Sequence, residues 1–88
     1  MPELDSIIEY PLDFPVKIMG LNQPGFTPAM VALVRRHAPD FDAATLETRP
    51  SREGKYVSLT VTIRAVSREQ LDALYQALSD HPMVAMAL

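Results

Sequence analysis

Apolar and polar residues alternate with period two from Tyr56 to Ala65. Val57, Leu59, Val61, Ile63 and Ala65 fall on one side, Tyr56, Ser58, Thr60, Thr62 and Arg64 on the other. That period predicts a strand with one face on a core and the other open. A similar alternation, Phe14, Val16 and Ile18 against Lys17 and Met19, predicts a first strand over 14–21. Between them the period changes. Phe26, Met30, Leu33, Val34 and His37 follow helical spacing, with Thr27 as N-cap, Pro28 at the first helical position and Pro39 as the stop. Leu71, Leu74, Tyr75 and Leu78 form a second helical stripe. Ser67 and Gln70 have the spacing of a capping box, and Pro82 ends that helix. Residues 44–49 read as a short second strand, 51–54 as a hairpin turn with Gly54 at positive φ, and 83–88 as a last strand.

The order is β-α-β-β-α-β. Burying two helical stripes against one face of a four-stranded antiparallel sheet gives the ferredoxin-like α+β sandwich. Residues 13–88 form that single domain. Residues 1–12 are a lead-in with Ile7, Ile8 and Tyr10 as an apolar patch, and Pro11 and Pro15 argue against a long regular element there. Eighty-eight residues support one modest core and leave little room for a deep pocket.

Composition narrows the chemistry. The absence of cysteine excludes disulfides, thiol catalysis and Cys-ligated metals. The net charge of −3 argues against a phosphate-backbone binder, which needs a surplus of Lys and Arg. The acidic start Met1-Pro2-Glu3-Leu4-Asp5 fits neither a signal peptide nor a transit peptide, and no apolar run reaches a membrane-spanning length. A cytoplasmic protein that binds neither membrane nor nucleic acid is the expectation.

Ile8-Glu9-Tyr10-Pro11, Phe14 to Gly20 with Lys17, Met19 and Gly20, Arg36-His37-Ala38-Pro39, Gly54-Lys55-Tyr56-Val57-Ser58, Leu74-Tyr75 and Val84-x-Met86-x-Leu88 follow one another along nearly the whole chain. In this order and spacing they resemble the YbeD-like family of small bacterial proteins. That family is similar in fold to ACT domains, regulatory modules that bind small ligands at the turn between the first strand and first helix. The resemblance implies the fold but no particular activity. It places a ligand site at Asn22, Gln23, Gly25 and Phe26, with Asn22 where an acidic residue is usual.

The candidate sites are few. Gly20 and Gly25 echo a phosphate-binding loop, but Phe26 stands where its lysine would be. His37 and His81 sit at helix ends, where a donor or cation satisfies the last carbonyls. Neither has a metal-ligand partner at a useful spacing. The acids Glu3, Asp5, Glu9 and Asp13 cluster at the N-terminus, and Asp40, Asp42, Glu69, Asp72 and Asp80 lie in loops or on outer helix faces, which reads as a solvated surface. Gly54 to Ser58 echoes an RNA-recognition strand, but Tyr56 is its only stacking aromatic. On the open sheet face, Val84, Met86 and Leu88 pointing inward would leave Met83, Ala85 and Ala87 outward, beside Lys17 and Met19 of strand one. Lys17, Met19, Tyr56, Met83 and Ala85 are therefore the candidate protein interface; the alternative is that the lead-in folds over this face through Ile7, Ile8 and Tyr10. A non-catalytic regulatory or adaptor domain follows, acting on a protein partner or a second copy, with no metal or cofactor. The alternative is a small-molecule, amino-acid-type sensor built on the Asn22–Phe26 loop.

Overall fold

The computed structural model describes residues 9–88. Strand β1 spans Leu12–Leu21, helix α1 Phe26–His37, strand β2 Glu47–Pro50, strand β3 Tyr56–Ala65, helix α2 Arg68–Asp80 and strand β4 Val84–Ala87. The sheet is antiparallel in the order β2-β3-β1-β4. Val16 and Ile18 of β1, the five inward residues of β3, Phe26, Met30, Leu33 and Val34 of α1, and Leu71, Leu74 and Leu78 of α2 form one buried cluster. Each large apolar side chain buried there contributes about 1.5–3 kcal/mol relative to exposure. Both helices pack on the same face, and among the described residues the other face stays open.

Strand β1 begins two residues before its predicted start and runs through Pro15. The reason is the position of the missing N–H. Lys17 exchanges both backbone hydrogen bonds with Leu88, at 3.0 and 2.8 Å. Pro15 points the same way two residues earlier, past the last β4 pairing, where no ladder donor is needed. Of the lead-in residues that are the alternative cover of the open face, Ile7 and Ile8 lie outside the described residues, and Tyr10 is half-buried and packs against the core.

Helix α1 begins one residue before the predicted cap. Gly25, not Thr27, is the N-cap, and it makes no side-chain cap bond. Burying Phe26 decides this, because the ring is fully enclosed and its N–H already donates to the Gln23 carbonyl at 3.0 Å. Pro28 falls at the third helical position, still within the turn whose N–H groups have no intrahelical acceptor.

The predicted second strand from Ala44 is corrected. Ala43–Thr45 forms a 3-10 turn capped by Asp42, whose carboxylate accepts from the Ala44 N–H at 3.0 Å. Local capping wins there, and β2 keeps only Glu47–Pro50. Gly54 takes φ 76° in the β2–β3 turn as expected.

Ser67 caps α2 by accepting from the Gln70 N–H at 3.1 Å. The reciprocal half of the capping box is absent. The Gln70 side chain instead accepts from the Val66 N–H at 2.7 Å and donates to the His37 carbonyl at 2.8 Å. Gln70 thereby satisfies the end of α1 from the start of α2. His81 also differs from expectation: its Nδ1 accepts from the Met83 N–H at 3.1 Å.

Candidate functional site

The open face is a grid fixed by strand register. Leu21 lies opposite Tyr56, Met19 opposite Ser58, Lys17 opposite Thr60, Pro15 opposite Thr62 and Asp13 opposite Arg64. Arg49 and Glu47 of β2 extend the rows of Ser58 and Thr60. On the other flank Met86 lies opposite Met19, and Leu88 is bonded to Lys17. One corner of the face therefore gathers Leu21, Tyr56, Met19, Met86 and Leu88. Four of these are among the five large hydrophobics exposed in the described residues, with Met86 at 51% and Leu88 at 63%. A shallow cavity of about 240 Å³ opens beside them, lined by Met19, Arg49, Tyr56 and Ser58 among others.

The corner departs from the expected one at β4. Ala87 pairs with Ile18, Met86 with Met19 and Val84 with Gly20, so Ala85 is an extra residue in a β-bulge. A bulge flips the facing of every later residue by one step. Met86 and Leu88 consequently face outward, while Val84 and Ala87 pack against the core. The expectation that Met83 and Ala87 face outward and Met86 and Leu88 inward is thus corrected. Ala85 is exposed in the bulge, and Met83 packs against the core beneath the β1–α1 turn, with its Cε near Gly25. Of the five predicted interface residues, Lys17, Met19 and Tyr56 lie together on the outer face. Leu21, Arg49, Met86 and Leu88 join them and were missed. Leu21 continues the alternation of strand one and was legible on that ground. The bulge has no sequence signature.

The β1–α1 loop has other occupations. The Asn22 side-chain amide donates to the Gly54 carbonyl at 3.1 Å, and its N–H to the Lys55 carbonyl at 2.8 Å. Asn22 ties the loop to the β2–β3 turn, a role a carboxylate could not fill because it has no proton to give. Phe26 is buried and out of reach of a ligand. Gln23 and Gly25 are exposed. The helix N-terminus retains little donor capacity, since Phe26 bonds to Gln23, Ala29 bonds to Gly25 and Pro28 has no N–H.

A family described as "Protein of unknown function (DUF493)" matches residues 5–88. The chain belongs to the DUF493 family. UPF0250 proteins are its relatives: one of Nitrosomonas europaea is 63% identical over 84 residues, covering 96% of this chain and 97% of that protein. One of a Janthinobacterium species is 56% identical over the full length of both. Among solved structures, protein HP0495 of H. pylori superposes with a TM-score of 0.74 at 20% identity, covering 92% of this chain and 85% of that one. The ACT domain of the Chlorobium tepidum GTP pyrophosphokinase gives 0.65 at 17% identity, covering 86% and 84%. These two likenesses show that the DUF493 chain has the ACT-like ferredoxin fold.

The described part of this DUF493 chain contains no cluster of three or more potential metal ligands and no buried polar or charged residue. No described helix is long and apolar enough to cross a membrane. Burial raises the Tyr75 hydroxyl above the usual tyrosine range, and Lys55 Nζ stands 5.7 Å from the centre of the Tyr56 ring.

Proposed function

We propose that the chain is a non-catalytic binding module whose working surface is the open sheet face, and that it acts through contact with a protein partner. The observation that carries this is the gathering of Leu21, Tyr56, Met86 and Leu88 around Met19. Exposed apolar side chains scattered singly need no explanation, whereas a contiguous group does. Methionine suits such a surface because its unbranched thioether adapts to the shape it meets. A regulatory role fits a domain of this size and fold. The Asn22–Phe26 loop offers less support for a sensor, since Asn22 and Phe26 are already engaged in the fold.

Met86→Glu tests the reading. The side chain is half exposed, so the substitution leaves the core intact and places a charge in the middle of the corner. Wild-type chain is expected to recover a partner from extract of its own cells, or to self-associate in sedimentation, and Met86→Glu to lose that contact by tenfold or more. A wild-type chain that sediments as a monomer at high concentration and recovers nothing would overturn the proposal.

A further inference from the structure

We draw no further inference here: the strongest candidate, the apolar corner of the open sheet face around Met19, Tyr56 and Met86, is bordered by Glu47 and Glu53 as well as by Lys17, Arg49 and Lys55, so its charge selects no occupant and nothing in the structure shows what covers it.

Discussion

At Gln70 one side-chain amide serves backbone groups from two places, Val66 before α2 and His37 at the end of α1. Gln70→Ala removes the donor to the part-buried His37 carbonyl and returns the exposed Val66 N–H to water, and is expected to cost about 1 kcal/mol in urea unfolding, the net worth of a typical hydrogen bond. Gln70→Glu keeps the acceptor for Val66 but loses the donor to His37, and should fall between. The Ser67…Gln70 spacing was legible in the sequence; the bond to His37 was not, since its acceptor lies 33 residues away. Gly20 is a second single-residue constraint. A Cβ there would meet the Met83 carbonyl and the Phe26 ring. Gly20→Ala is expected to destabilise by roughly 1–3 kcal/mol, as overpacking does, with a lower denaturant midpoint as the measurement. Tyr75 adds a pH effect of known sign. Burial disfavours its phenolate, so the folded state holds that proton more firmly than the unfolded one. The contribution is present below the unfolded tyrosine pKa, near 10, and is lost as pH rises through the folded value. Tyr75→Phe should therefore flatten the fall in thermal stability above pH 10 and leave its pH dependence below pH 9 unchanged.

At the scale of elements, strands β1 and β3 and both helices follow their hydrophobic periods, because each buries one face against the same core. The short elements do not. Strand β2 has four exposed residues and no inward stripe to set its limits, so the Asp42 cap decides where the preceding turn ends. Strand β4 is apolar at every position, and its facing was open until pairing with β1 introduced the bulge. Pro50 carries a prediction at this scale. Pro50→Thr restores an N–H on the free edge of β2 without changing the bond from Ser51 to Tyr56. The variant is expected to fold, and to show more concentration-dependent association by light scattering than the wild type. Unchanged scattering would mean that strand shortness alone blunts this edge.

Across the whole molecule, the apolar corner exists only through the fold. Met19, Tyr56 and Met86 are far apart in sequence and become neighbours through the register of β1 with β3 and β4. A charge placed on that corner should alter association while leaving unfolding nearly unchanged, since exposed substitutions away from such constraints usually stay within about 0.5 kcal/mol. Met86→Glu, followed by both chemical unfolding and sedimentation, checks the separation. The sequence by itself determined the βαββαβ order, the core stripes, the Ser67 cap and the Gly54 turn, because each depends on local period or backbone freedom. It also pointed to the open face and to Lys17, Met19 and Tyr56 on it. Only the tertiary structure decided which side Met83, Met86 and Leu88 take, since one unpaired residue in β4 reverses them at no cost visible in composition. It alone showed that Asn22 and Phe26 are engaged in the fold, because their partners, Gly54 and the core, are brought to them by packing.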